Sequence, residues 1–165
     1  MIRHIWLASD MLQIEGEMLS RRSFINSGFV FSSVVLATAA AETSSLQVHV
    51  TYSGAGVVDE THKLYVSLWD TPDFAKQGGS SIAPLDMKFV TSKSAVAEFK
   101  DLAKSSVYVG MLFDPTGQWD AQSEPPSGTS LGIYSTEPGV PAPIQLTAGK
   151  TTKISATLDD SYKKP

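Results

Sequence analysis

Apolar and polar residues alternate along most of the chain after residue 41, which is the period expected of half-buried β-strands. In the first such segment, Leu46, Val48, Val50 and Tyr52 share one face, and the residues between them are polar. Turn-forming Gly, Pro, Asp and Ser residues separate the segments. The predicted strands are residues 46–52, 63–69, 85–90, 96–102, 106–113, 132–134, 143–146 and 152–158.

This pattern favours an all-β fold, specifically an antiparallel β-sandwich of about seven strands. Segment 96–102 is the weakest, because Ala and Glu are poor β formers, and a short helix is the alternative there. Segments 143–146 and 152–158 are expected to pair as a closing hairpin. The polar tail, residues 159–165, is expected to fray.

The predicted core follows from the alternation. In segment 85–90, Leu85, Met87 and Phe89 are expected to point inward. The full set of predicted core residues is Val48, Val50, Leu64, Val66, Leu68, Phe89, Phe99, Val107, Val109, Met111, Ile154 and Leu158.

Composition narrows the functional classes. The chain has 165 residues and no cysteine, so disulfides, cysteine-ligated metal sites and a lipoprotein anchor are excluded. Its formal charge is −4, from 13 Lys and Arg against 17 Asp and Glu, and no block of like charge stands out. Nucleic-acid binding requires a basic stripe that neutralises phosphates, and electrostatic binding to anionic lipid requires a basic patch. The sequence therefore argues against both partners.

The segment before residue 42 has a different character. Residues 20–26 contain the paired arginines Arg21 and Arg22, and an apolar stretch follows from residue 28 and ends in small residues at Ala41. This order resembles a twin-arginine signal peptide. The resemblance implies a signal-peptide helix, export by the twin-arginine machinery, and cleavage after Ala41, with Ala39 as the alternative position.

An uncleaved membrane anchor is the other interpretation of this segment, but a spanning helix needs about 20 apolar residues and this stretch is shorter. We therefore expect no stable membrane anchor after cleavage and a periplasmic or extracellular protein. Residues 1–17 carry acids unusual in a signal peptide, which favours translation from Met18. The predicted organisation is an N-terminal extension with signal peptide, residues 1–41, and a β-sandwich domain, residues 42–165.

Two segments of that domain resemble a known family. Residues 99–114 follow the pattern of an F-x-x-L turn and a Y-x-V strand ending in Asp, and residues 144–158 follow a v-x-L-x-x-G closing pattern. Both resemble prealbumin-like modules of the carboxypeptidase-regulatory-like type, found in exported bacterial proteins. Residues 54–59 match that family's glycine-rich pattern only in part. The resemblance implies a fold and no activity.

Two loops carry the candidate binding residues. Trp69 and Asp70 begin the loop at 70–84, and Trp119 and Asp120 lie in the long loop at 114–131. If strands 63–69 and 106–113 run in the same direction, both loops lie at one end of the sandwich and form an acidic, aromatic surface for a ligand. The alternative is that the two indoles pack together and close the sandwich, because aromatic burial is strongly favourable.

The same long loop holds the one candidate metal site. Asp114, Asp120 and Glu124 place oxygen ligands at the short spacing that Ca²⁺ uses, although Thr116 and Gln118 stand where an EF-hand has ligands. The alternative is that these acids only solvate the loop. No other cofactor is expected.

Catalytic signatures are weak. The sequence has no G-x-S-x-G motif, and His49 and His62 have no nearby set of metal ligands. The sequence therefore favours an exported, non-catalytic binding or interaction module. Its expected ligand is a small molecule, a glycan or a protein. The alternative is a metal-handling accessory factor or a small periplasmic enzyme.

Overall fold

The computed structural model of the protein describes residues 42–76 and 83–165. All of them belong to one compact unit. The predicted N-terminal extension and signal peptide, residues 1–41, lie outside the described residues. The described strands are β1 (Ser44–Tyr52), β2 (Leu64–Trp69), β3 (Asp86–Val90), β4 (Ser94–Leu102), β5 (Ser106–Phe113), β6 (Ser130–Ile133), β7 (Ser135–Glu137), β8 (Val140–Pro141), β9 (Ile144–Gln145) and β10 (Thr151–Leu158), with a 3-10 helix at Pro72–Ala75.

These strands form a β-sandwich, as the alternation predicts. The first sheet has the order β10-β1-β4, and the second has the order β3-β2-β5-β6, with β9 pairing to β5. Strands β7 and β8 form a separate short ribbon. The ten described strands exceed the eight predicted segments because the short strands β7 and β8 were not predicted.

Strand pairing differs from the prediction at the C-terminal end of the domain. Strand β10 pairs with β1 in parallel, from Ser45 beside Thr151 to Tyr52 beside Leu158. Strand β9 instead pairs with β5 in the opposite sheet. The predicted closing hairpin is therefore wrong, because the turn before β10 carries the chain from one sheet to the other. The sandwich is antiparallel except at this pair.

The core lies between the two sheets, where fully buried Leu46, Val48 and Val50 of β1 face the inward side chains of β2 and β5. Complete burial of such a side chain contributes roughly 1.5–3 kcal/mol. Ten of the twelve predicted core residues are buried, and Ile154 packs partly buried against them. The ten are Val48, Val50, Leu64, Val66, Leu68, Phe99, Val107, Val109, Met111 and Leu158.

The prediction for strand β3 is wrong. Phe89 is 54% exposed and Leu85 is 42% exposed, whereas Val90 is buried. The cause is the register with β2, which places Phe89 beside Tyr65 on the outer side of the sheet and Val90 beside the core residue Leu64. Segment 96–102 is confirmed as a strand, with Ala97 and Phe99 turned inward.

The polar tail does not fray as expected. The amide of Leu131 in β6 donates to the carbonyl of Tyr162 at 3.0 Å, and the amide of Lys164 donates to the carbonyl of Thr129 at 2.9 Å. Asp160 accepts hydrogen bonds from Tyr52 Oη and Ser130 Oγ. These bonds hold the tail along the outer edge of β6.

Candidate binding surface

The outer face of the second sheet carries aromatic side chains. Strand β2 sends Leu64, Val66 and Leu68 into the core, so Tyr65 and Trp69 lie on its other face. Cross-strand pairing places Phe89 of β3 on one side of Tyr65 and Leu112 of β5 on the other. Tyr65 and Leu112 are buried although neither belongs to the core between the sheets. Residues on the outer side of the second sheet must therefore shield these two side chains from solvent.

The loop that follows β5 provides part of that cover. The indole of Trp119 packs edge-on against the Tyr65 ring, with centroids 4.9 Å apart and an interplanar angle of 79°. The indole Nε1 donates to the carbonyl of Ser123 at 2.9 Å. Tyr65 also contacts Phe89, with centroids 6.2 Å apart. The three rings form a continuous aromatic row across the sheet and its covering loop.

Asp114 holds this loop in place. Its carboxylate is 1% exposed and accepts hydrogen bonds from the Thr116 amide at 2.8 Å, the Thr116 hydroxyl at 2.7 Å and the Trp119 amide at 2.9 Å. Burial raises the pKa of Asp114, but these bonds and one from the Gly117 amide outweigh it, and the pKa lies below its usual range. Asp114 therefore anchors the Trp119 loop, and both of its carboxylate oxygens already accept hydrogen bonds from that loop.

A second Asp fixes the next turn. Asp120 Oδ1 accepts from the amides of Gln122 at 3.0 Å and Ser123 at 2.8 Å and from Ser123 Oγ at 2.7 Å. These bonds, led by the Ser123 amide, lower the pKa of Asp120 to about 2. Ala121 takes the left-handed conformation, with φ of 62°. Asp120 is thus a fixed, ionised carboxylate at neutral pH, and Oδ2 receives no hydrogen bond from the described residues.

A cleft of about 250 Å³ separates this turn from strand β3. One wall is apolar and comes from Met87 and Phe89, the other is the turn 120–122, and Tyr65 lies at the base. Burial, followed by the charge of Asp114, raises the pKa of Tyr65, so its hydroxyl is protonated at neutral pH. The Tyr65 hydroxyl donates no hydrogen bond to a described residue.

A larger groove, about 370 Å³, lies on the outer face of the first sheet. It is lined by Gln47, His49 and Ser155 among others, and its lining includes no Phe, Tyr or Trp. His49 contacts Ser94 Oγ at 3.3 Å. We favour the smaller cleft because it combines exposed aromatic surface with a fixed carboxylate and a hydroxyl, which is the usual composition of a ligand site.

The structure separates the two predicted tryptophan loops. Strands β2 and β5 are antiparallel, contrary to the expectation that they run in the same direction. Trp69 and Asp70 therefore follow the end of β2, whereas Trp119 and Asp120 lie beside its beginning. The four residues do not converge on one surface, although both indoles lie over the same face of the sheet.

Trp69 has a packed environment of its own. Its ring stacks on Phe74 of the 3-10 helix, with centroids 4.9 Å apart and planes within 6°. Its Nε1 donates to Ser67 Oγ at 2.8 Å, and Asp70 forms an exposed ion pair with Lys104 at 3.5 Å. These contacts make Trp69 a cover for the sheet. The alternative, in which the two indoles pack on each other, is not found among the described contacts, because Trp119 packs on Tyr65 and Trp69 on Phe74.

The predicted calcium ligands are not assembled. Residues 42–76 and 83–165 contain no group of three His, Asp or Glu side chains placed to hold a metal ion. Asp114 and Asp120 each bond to their own turns, and Glu124, 82% exposed, pairs with Lys164 at 2.8 Å. His62 pairs with Asp59 at 3.0 Å within a local turn whose amides also bind that carboxylate.

Sequence reasoning missed Tyr65, Met87 and Phe89. The signal was present in segment 63–69, where both alternating faces are apolar, because Tyr65 and Trp69 stand between the core residues. A strand with two apolar faces in a sandwich requires a cover or a ligand on its outer side. For Phe89 there was no such signal, because the alternating apolar residues of segment 85–90 can be turned either to the core or to solvent.

Comparisons with known proteins give little further guidance. No family model and no curated protein matches the chain. Among solved structures, a minor pilin of the Gram-positive pathogen Streptococcus agalactiae is 15% identical, with a TM-score of 0.32. The alignment covers 76% of this chain and 46% of the pilin, and it is too weak to assign a family or a function. Within the described ranges, no helical segment has the length and apolar character needed to cross a membrane.

Proposed function

We propose that this protein is an exported, non-catalytic carbohydrate-binding module that acts in the periplasm or outside the cell. Its binding site is the cleft between Phe89 and the Asp120 turn. We further propose that the domain is a prealbumin-like module and that the twin-arginine machinery exports it. Both proposals are supported by the sequence resemblances described above.

The observation that carries the proposal is the exposure of Phe89 beside fixed polar groups. Phe89 is 54% exposed and lines the apolar wall of the cleft with Met87, and a contiguous exposed apolar surface rimmed by polar groups is typical of a binding site. The Lys63 ammonium lies 4.4 Å from the ring centroid and adds a donor at the edge of the site. Asp120 and the Tyr65 hydroxyl supply an acceptor and a donor within the same cleft.

This combination suits a sugar ring. The C–H face of a pyranose stacks on an exposed aromatic ring, and its hydroxyls pair with carboxylate, amide and hydroxyl groups. Because Asp120 is already held by Gln122 and Ser123, it loses little conformational freedom on binding. A protein ligand is the alternative occupant of the same surface.

Binding is tested with the purified protein and a panel of soluble neutral and acidic oligosaccharides, measured by calorimetry. We expect Phe89→Ala to weaken binding at least tenfold while the melting temperature changes little, because the ring is half exposed. Val96→Ala is the matched control, since Val96 is 53% exposed on the outer face of the other sheet. If no oligosaccharide binds, or if the two variants weaken binding equally, the proposed site is wrong.

Export is tested separately. Replacing Arg21 and Arg22 by Lys should abolish secretion if the twin-arginine machinery carries the protein. The secreted wild-type protein should begin near Glu42. Unchanged secretion of the double variant, or a secreted chain that still begins at Met18, contradicts this part of the proposal.

A further inference from the structure

The edges of the two sheets are protected to different degrees. Edge strands expose unpaired amides and carbonyls, and proteins usually block them with short strands, bulges, charges or a covering segment. Strand β3 has five residues and carries the Lys88–Asp86 ion pair. Strand β6 is covered by the C-terminal tail. Strand β4 carries Glu98 and Lys100, and its pairing shifts register near Asp101, whose φ is 56°.

Strand β10 lacks these protections. Its eight residues, Thr151–Leu158, pair with β1 in an unbroken register and include neither proline nor glycine. Lys153 is its one charged side chain, and its three Thr residues and Ile154 favour a strand. No described strand pairs with its other edge. Such an edge is a template for another strand.

The charges that flank β10 indicate what pairs with it. The exposed ammonium of Lys150 immediately precedes the strand, and the exposed carboxylate of Asp159 immediately follows it. An antiparallel copy of the same strand brings each basic end beside an acidic end. A parallel copy brings like charges together at both ends. The edge is therefore electrostatically complementary to itself in the antiparallel direction.

We propose that two copies of this chain pair through their β10 edges, antiparallel and about a two-fold axis, to form one continuous six-stranded sheet. The favoured register places Ile154 of one copy opposite Ile154 of the other. Lys153 then faces Ser155, Thr151 faces Thr157, and Lys150 lies next to Asp159. No like charges are opposed, and the partly exposed Ile154 side chains are covered by each other. This two-fold contact closes on itself, as most homodimers do.

Sedimentation of the purified protein across a concentration series tests the pairing. We expect a reversible monomer–dimer equilibrium. Lys150→Glu or Asp159→Lys should raise the dimer dissociation constant roughly fivefold or more, because two exposed ion pairs become repulsive. The double variant, Lys150→Glu with Asp159→Lys, should restore it. Lys76→Glu, which breaks the exposed pair with Asp73 far along the chain, is the matched control and should have no effect.

A cysteine variant tests the register independently. Because the chain contains no cysteine, Ile154→Cys can form a disulfide only between two copies. Opposed residues of an antiparallel pair have Cα atoms about 4.5–5.5 Å apart, within the reach of a disulfide. Mild oxidation should link Ile154→Cys and leave Val96→Cys on β4 unlinked. A monomer at every concentration, a dimer indifferent to the charge variants, or equal linking of both cysteine variants overturns the proposal.

Discussion

The carboxylate of Asp160 is the main anchor of the C-terminal tail, and its removal is the most informative test of the structure. Oδ1 accepts from Tyr52 Oη at 2.6 Å and Ser130 Oγ at 2.7 Å, and Oδ2 accepts from the Ala55 amide at 3.1 Å. Tyr52 and Ser130 are themselves buried. Asp160→Asn keeps the size of the side chain, but it removes the charge and replaces one accepting oxygen with an NH2 donor, so it measures what the ionised, fully accepting carboxylate contributes to the free energy of unfolding.

The magnitude follows from the pKa. Hydrogen bonds from Tyr52 and Ser130, in that order, lower the pKa of Asp160 from its usual 3.8 to about 2. At roughly 1.4 kcal/mol per unit, the displacement corresponds to about 2 kcal/mol. The side chain is 25% exposed, so solvent screens part of this, and we expect Asp160→Asn to lose about 1–2 kcal/mol at neutral pH.

The pH dependence has a definite sign. A carboxyl group whose folded pKa is depressed stabilises the protein above its unfolded pKa, near 3.8, and loses that contribution as the pH falls toward its folded value of about 2. The stability difference between wild type and Asp160→Asn should therefore be constant above pH 4 and shrink between pH 4 and pH 2. Urea unfolding at several pH values, followed by circular dichroism, measures both quantities.

Glu124→Gln is the matched control. Glu124 also contacts the tail, through the ion pair with Lys164, but it is 82% exposed, and such pairs contribute little. We expect its unfolding free energy to stay within about 0.5 kcal/mol of wild type. If Asp160→Asn is as stable as wild type at neutral pH, or if its deficit persists unchanged at pH 2, the anchoring role assigned to Asp160 is wrong.

Two further predictions concern the outer face of the second sheet. Asp114→Asn should lower the free energy of unfolding by about 1–3 kcal/mol, because the new side-chain NH2 group presents a donor to the Trp119 amide. Urea unfolding measures this loss, and the tryptophan fluorescence should shift to the red as Trp119 becomes exposed. Gly110→Ala should displace the stack of Trp69 on Phe74, since an added Cβ would lie 3.0 Å from Phe74 Cε2 and 3.1 Å from Trp69 Nε1. Its melting temperature should fall and near-ultraviolet circular dichroism should change; an unchanged spectrum contradicts this packing.

Local patterns predicted the strands but not their partners. The alternation in β1, β2 and β5 depends on nearby residues alone, so those strands were found within one or two residues. The parallel pairing of β1 with β10 joins residues more than a hundred positions apart, and no local pattern encodes it. The direction of β5 relative to β2 is likewise set by the overall topology and not by local sequence. Because the two strands are antiparallel, Trp69 and Trp119 cannot lie at the same end of the sheet and form one site.

The tail shows a second limit. Residues 159–165 are polar, which correctly indicates that they add little to the core. Their order comes from specific hydrogen bonds, above all those of Asp160 to Tyr52 and Ser130. These partners are distant in sequence, so composition alone gave no sign that this Asp differs from the adjacent Asp159.

The error at β3 bears most directly on function. Alternation shows which residues share a face of a strand, but it does not show whether that face is turned to the core or to solvent. Leu85, Met87 and Phe89 share a face, and the rule that apolar residues lie inside assigned it to the core. That rule holds in one direction only, because much of a folded protein's surface is apolar, and Val96, 53% exposed, breaks it as Phe89 does. Phe89 differs from Val96 in its surroundings, because it lines a cleft together with Tyr65 and the Asp120 turn. The comparison of Phe89→Ala with Val96→Ala therefore tests the cleft, and exposure alone does not account for the expected difference.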